Sequence, residues 1–418
     1  MASKKYKNKT QKYYADIKRK NITMIVCFVL VSIIILGTLP FSDFFESYIN
    51  QEYYRQLEEK EKLEQSGELI FNNDDLVVNF ISVGSADAIA IELPDDKVML
   101  IDCGDQGSST TALLNYLTDN VFDDRNDNVI DYLIITHPDV DHFGGADEVL
   151  RDYQVENIYR PKVLGEDEQA IFDNDGVTTV EDSYEMKSTI SYNKAINAMY
   201  AEVELGAEMF YNQTGIVISN DTTSQTPYKF TFLTPSEDVY YNGSQIEANT
   251  YSAIMLLEYK GKKIMLSGDA TGITENEALD YANRQGISLD CDILKVAHHG
   301  SATNGSNSVE FINAVSPSYA IFCCEEGVHS NLPASSVLER MNQCGVAEDN
   351  ILRTDIVGDI VVGLSTTDEL MVMVGDELIA LNKDITVMFI PWFYVVFVLI
   401  FIAGTIFLTR IRIVKIED

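Results

Sequence analysis

Residues 136–145 read THPDVDHFGG, directly after the short apolar run Tyr132–Ile135 (YLII). Such a run reads as a buried strand, because it is too short for a helix and is closed by turn-forming residues. Two imidazoles and two carboxylates follow it as His-x-Asp-x-Asp-His. Side-chain alternation beyond a strand would aim His137, Asp139 and Asp141 to one side, with His142 on the next turn. The chain has five histidines. His298 and His299 lie in LKVAHHGS (294–301), again directly after a strand-like run, and His329 lies in the loop after Tyr319–Phe322. A single histidine at a strand end is most simply a structural residue. Two pairs so placed imply a metal site at one edge of a sheet, and the neighbouring carboxylates suit Mn²⁺ as well as Zn²⁺. Asp269, in IMLSGDA (264–270), follows a third strand and a glycine. From there a carboxylate can reach the same edge and bridge two ions.

Working outward, strands are expected at Leu76–Ile81, Ala88–Leu93, Val98–Ile101, Asn157–Tyr159, Lys229–Leu233, Ser252–Tyr259, Lys263–Leu266, Ile293–Val296 and Tyr319–Phe322. Helices are expected at Thr110–Leu117, Ala146–Asp152, Glu275–Arg284, Ser308–Ala314 and Ala334–Asn342. A last β region spans Ile360–Leu381, and the polar stretch 164–205 has no clear assignment. Many short strands interleaved with few helices point to an α/β sandwich over a doubly wound sheet. There is no internal repeat.

The ends of the chain differ from its middle. Residues 1–21 hold eight Lys/Arg and one acid, residues 410–418 three Lys/Arg and two acids, and the middle carries a net charge of −43. A domain that acidic repels polyanions on average, so a nucleic-acid substrate would need metal ions or a local basic patch. Ile22–Leu39 and Ile385–Leu408 are uncharged apolar runs, each long enough to cross a bilayer as a helix. Their outer flanks are basic and their inner flanks acidic (Asp43, Glu46, Asp376, Glu377), which puts both termini in the cytoplasm and the middle outside the cell. No small-x-small cleavage site follows the first run, so an uncleaved anchor is expected. The division is therefore a basic cytoplasmic tail (1–21), a transmembrane helix (22–40), a helical stalk (41–74), the globular domain (75–382), a second transmembrane helix (385–409) and a short cytoplasmic tail (410–418). The cysteines show no disulfide or zinc-ribbon spacing; Cys103, Cys291 and Cys323 read as small buried apolar residues.

The ordered set VGSADA (83–88), LIDCG (100–104), THPDVDHFGG, LSGDA, LKVAHHGS and RTDIVGDI (353–360) resembles the metallo-β-lactamase domain of ComEC-type competence proteins, over about Val77–Leu381. Asp139 matches the aspartate at the second position of the first motif in that branch. The resemblance implies an αββα sandwich, here flanked by two transmembrane helices, with a two-metal site. One ion would take His137 and Asp139. The other would take Asp141, His142 and one histidine of the adjacent pair, with His298 the expected ligand, and Asp269 would bridge. Departures are Ala86 where glycine is usual before Asp87, and Asn331-Leu332-Pro333 where the family often has Gly-His-Pro; His329 is a substitute there. Asn249 and Ser252 occupy the stretch where the branch has Asn and Ser. The histidine that completes the first site in many lactamases is missing, and so is the channel-forming domain of ComEC proteins.

Function follows as an expectation: an extracellular, membrane-anchored hydrolase with two divalent ions, Zn or Mn, acting on DNA or another phosphodiester. Two cations would lower the pKa of a bridging water. Asp141 would orient the nucleophile, and His299 or His329 would protonate the leaving group. Two alternatives stay open: a hydrolase of cell-wall phosphodiesters, esters or lactams, and a non-catalytic surface protein with a weak metal site.

Overall fold

The computed structural model describes residues 2–36, 50–51, 54, 74–123, 125–165, 185–187, 189–220, 224, 226–236, 248–328, 332–365, 370–374, 377–382, 395, 398–402 and 404–406. The chain divides into two compact units, Ser66–Lys383 and the two termini together (Met1–Gln65 with Asp384–Asp418).

In chain order the strands of the central unit are β1 (Leu76–Phe80), β2 (Ile89–Glu92), β3 (Val98–Ile101), β4 (Val129–Ile134), β5 (Gln154–Arg160), β6 (Val163–Leu164), β7 (Glu185–Met186), β8 (Glu208–Tyr211) and β9 (Val217–Ser219). There follow β10 (Tyr228–Phe232), β11 (Met255–Tyr259), β12 (Lys262–Leu266), β13 (Ile293–Lys295), β14 (Tyr319–Phe322), β15 (Ile351–Arg353), β16 (Ile360–Leu364), β17 (Leu370–Val374) and β18 (Glu377–Asn382). One sheet runs β18-β17-β16-β1-β2-β3-β4-β5-β8 and the other β15-β14-β13-β12-β11-β10-β9, while β6 and β7 pair alone.

Each sheet is apolar on both faces, as a sandwich layered by helices requires. Along β2, Ile89 and Ile91 face the second sheet, where they join Phe230, Phe232, Leu257, Ile264 and Ile293, whereas Ala88 and Ala90 face outward. That outer face is covered by helices Ser108–Tyr116, Ala146–Asp152 and Ile190–Leu205 through Leu113, Val149, Tyr192 and Ile196. The outer face of the second sheet is covered by Gly272–Gln285, Val309–Val315 and Ser335–Gln343 through Ala278, Phe311, Ile312 and Val337. Thr271 and Ser308 cap the first two of these by accepting from backbone amides, which fixes where each helix begins. The order of layers is αββα, the architecture expected from the sequence.

The unassigned stretch 164–205 contains β7 and the helix Ile190–Leu205, started by Thr189 and ended by the left-handed Gly206. Strands β8, β9 and β15 were not anticipated. They are edge strands of three or four residues, whose burial pattern is too brief to mark them in sequence. In the terminal unit Ala2–Leu36 is one helix. Among the described residues no helix is long and apolar enough to cross a membrane; parts of both expected spans, most of the stalk, and His329 lie outside the described residues.

Candidate metal centre

Six chain segments deliver polar side chains to one edge of the sandwich. β4 runs out through Ile135 and Thr136 to His137, followed by the one-turn helix Val140–Phe143 that carries Asp141 and His142. β12 ends in Ser267-Gly268-Asp269, and β13 in Val296-Ala297-His298-His299. β3 ends at Asp102, and Asp87 enters β2 from the same edge. The strands pair in parallel across β3-β4 and β12-β13, so their carboxyl ends emerge together.

Two glycines let the loops close on this edge. A Cβ on Gly145 would lie 2.4 Å from the Cys103 carbonyl oxygen. Gly300 has φ +84°, and a Cβ there would lie 2.5 Å from the Pro333 Cβ and 2.7 Å from the Phe322 ring. Only glycine permits these backbones to approach, and each sits beside a histidine-bearing turn.

Asp141, His142, Asp269 and His299 gather one ligand atom each within 4.8 Å of one another. Asp269 Oδ1 lies 3.3 Å from His142 Nε2 and Asp269 Oδ2 3.5 Å from His299 Nε2, while Asp141 Oδ2 lies 3.3 Å from His299 Nε2 and 3.9 Å from His142 Nε2. Two donors at roughly 2.0–2.2 Å from one ion, at a tetrahedral angle, stand roughly 3.3–3.6 Å apart. The Nε2 atoms of His137, His142 and His299 and the Oδ1 of Asp269 are buried and have no hydrogen-bond partner. Buried polar atoms are normally satisfied. Orphaned imidazole nitrogens that face orphaned carboxylate oxygens at this spacing fit a divalent cation.

The opposite ring nitrogens are fixed from behind. His142 Nδ1 lies 2.7 Å from Asp102 Oδ2, and Asp102 also accepts from the Thr136 amide and hydroxyl, each at 2.7 Å. His299 Nδ1 lies 2.7 Å from the Cys323 carbonyl oxygen, just beyond β14. Such partners set the tautomer that presents Nε2 to an ion. Asp87 pairs with the fully buried Lys295, whose ammonium also donates to the Gly268 carbonyl at 3.0 Å.

Charge follows this geometry. Burial alone would lower the pKa of His142, but the carboxylates of Asp269, Asp102 and Asp141 outweigh it and hold the group well above an ordinary histidine. His299 is raised likewise, against burial, chiefly by Asp269. Burial would raise the carboxyl of Asp269; the imidazoles of His299 and His142 instead hold it well below its ordinary value. His137, buried and beside His142, is lowered to about 3 and stands neutral.

Of the residues read from sequence, Asp141, His142, Asp269 and His299 come together. His299, expected as a proton donor, takes the place expected of His298. Both residues adopt left-handed backbone conformations and their rings diverge, with centroids 6.4 Å apart. His298 faces Asp269 Oδ2 at 3.8 Å from the partly exposed side, with the Asn249 amide nitrogen 3.2 Å from its Nε2. His137 Nε2 lies 3.8 Å from Asp139 Oδ2, beside the main cluster. Ser252 accepts from the Asp269 amide at 3.1 Å. Sequence reading assigned no role to Asp102, Lys295 or Lys187. The first follows a buried strand as Asp269 does, and the second is a lone charge in an apolar strand; both are legible signals. Lys187 gave none.

Residues 81–194 match the family model described as the metallo-beta-lactamase superfamily. The chain is 24% identical over 299 residues to the ComE operon protein 3 of Bacillus subtilis, which spans 68% of this chain and 32% of that protein. It is 32% identical over 135 residues to the competence protein ComA of Neisseria gonorrhoeae, which spans 32% of this chain and 18% of that protein. The chain thus spans a third or less of the curated relatives it matches. Similar solved structures include the metallo-beta-lactamase fold protein YhfI of Bacillus subtilis, at 12% identity and TM-score 0.36, covering 66% of this chain and 95% of that one. Zn²⁺-bound PqqB of Methylobacterium extorquens is similar at 9% identity and TM-score 0.36, covering 66% and 97%. The chain carries a metallo-β-lactamase domain and is a relative of the ComEC-type competence proteins.

Proposed function

We propose that this chain is a membrane-anchored, metal-dependent hydrolase that cleaves phosphodiesters outside the cell. The observation that carries the reading is the set of orphaned, buried Nε2 atoms of His142 and His299 facing Asp141 and Asp269. Asp141, His142, Asp269 and His299 would hold one divalent ion, Zn²⁺ or Mn²⁺, and His137 with Asp139 would hold a second, with Asp269 contributing to both. Such ions, when bound, activate water at neutral pH and neutralise charge on the group being cleaved.

The protein's own residues do the rest. Asp102 and the Cys323 carbonyl orient the two imidazoles. Asp141, held ionised below the usual carboxylate range by His142 and His299 despite its burial, would accept a hydrogen bond from an attacking water. His298, partly exposed and next to Asp269, would exchange a proton with the leaving group. The relative named as a competence protein favours a nucleic-acid phosphodiester. A groove at the opposite edge of the sheets is lined by Asp74, Asp75, Glu92, Asp95, Asp119 and Asp123, so a polyanion would approach from the metal side. Anchoring and an external domain are supported by the apolar runs and their basic outer flanks; Ile22, Ile25, Val26, Val29, Leu30 and Ile33 of the first helix are exposed. The test is hydrolysis of bis(p-nitrophenyl) phosphate and of single-stranded DNA by the full chain in detergent, with Mn²⁺, with Zn²⁺ and with chelator. Metal-dependent cleavage of either supports the reading; no cleavage under any condition contradicts it.

A further inference from the structure

The two halves of the site are built unequally. On one side four donors meet, and Lys295, 4.0 Å from Asp269 Oδ1, has its charge taken up by Asp87. On the other side stand His137 and Asp139, close enough to Asp269 for its charge to act on the His137 ring. There the carboxylate of Asp139 is already engaged: the Lys187 ammonium lies 2.8 Å from its Oδ1. The same ammonium donates to the Pro138 carbonyl and sits 5.8 Å from the centre of the Phe143 ring. Its backbone is anchored too, since the Lys187 amide donates to the Leu164 carbonyl at 2.9 Å and extends the β6-β7 pair. Asp139 is thereby divided, with Oδ2 toward the orphaned Nε2 of His137 at 3.8 Å and Oδ1 on a resident cation.

A carboxylate whose charge is matched by an ammonium gives up part of its attraction for a metal ion, and the ammonium repels a dication brought beside it. Resting on the metal reading above, we propose that Lys187 stands in for part of the charge of a second ion. The chain then holds one divalent ion tightly at Asp141, His142, Asp269 and His299, and a second beside His137 and Asp139 only weakly.

The test is a titration of the metal-free full chain in detergent with Zn²⁺ and with Mn²⁺, following bound metal by equilibrium dialysis and elemental analysis. The parent should bind one ion tightly and a second at least tenfold more weakly. Lys187→Met should tighten the second class tenfold or more and leave the first unchanged, and Lys187→Arg should behave as the parent. Asp139→Asn, which leaves Lys187 in place, should remove the weak class alone and serves if Lys187→Met folds poorly. Two equal classes in the parent, or no change in Lys187→Met, would overturn the inference while leaving the metal reading intact. No bound metal in any variant would overturn both.

Discussion

Asp102 Oδ2 stands 2.7 Å from His142 Nδ1, which turns the other nitrogen of that ring toward Asp269 Oδ1 at 3.3 Å. The aspartate is fully buried and takes three hydrogen bonds, which fixes the orientation of the imidazole. Replacing Asp102 with Asn should therefore weaken metal binding about 10–100-fold without removing any donor from the centre. Competition with a chromogenic chelator measures this; unchanged affinity would deny Asp102 an orienting role.

Lys295 is buried between Asp87 and the Gly268 carbonyl. Lys295→Met removes the ammonium that pairs with Asp87 and leaves it only the more distant imidazoles of His299 (Nδ1 at 3.5 Å) and His142 (Nδ1 at 3.8 Å), so breaking this buried pair should cost up to roughly 3–5 kcal/mol. Urea unfolding of the metal-free protein reads that loss directly. A cost under about 1 kcal/mol would show that Asp87 finds another partner.

How legible was all this in the sequence? The clusters at 136–145, 264–270 and 294–301 were readable because strand ends impose direction: chemistry placed just after an apolar run emerges at one sheet edge. The same logic could have found Asp102. It could not decide between His298 and His299, because both occupy left-handed positions and their divergence is a property of the turn, closed by Gly300 against Phe322 and Pro333. Lys187 was invisible because it reaches Asp139 from 48 residues away, out of a polar stretch without periodicity.

Metal uptake should release protons. In the metal-free protein the pKa values of His142 and His299 are both raised, so these rings hold their protons to higher pH than an ordinary histidine and an ion must displace them. Affinity should then rise with pH through neutrality. Calorimetry in buffers of differing ionisation enthalpy should show about one to two protons released per ion. The sign for stability is opposite. These two groups stabilise the metal-free fold fully below their unfolded pKa of 6.5, and that contribution is lost as pH rises through their raised values. Zero proton release would contradict the charge state.

Gly300→Ala should act on the site and the fold together. Its Cβ would meet Pro333 at 2.5 Å, at a backbone angle that L-residues avoid. A cost of about 1–3 kcal/mol is expected, with weaker metal binding because His299 precedes it directly. A stable variant of parental affinity would show that the loop relaxes freely.

Anomalous diffraction from crystals of the protein grown with Zn²⁺ tests whether Asp141, His142, Asp269 and His299 form a metal centre. A zinc peak is expected within about 2.0–2.2 Å of His142 Nε2, His299 Nε2 and carboxylate oxygens of Asp141 and Asp269. A structure at saturating Zn²⁺ with these four side chains free of metal, or with zinc bound only elsewhere, would contradict it.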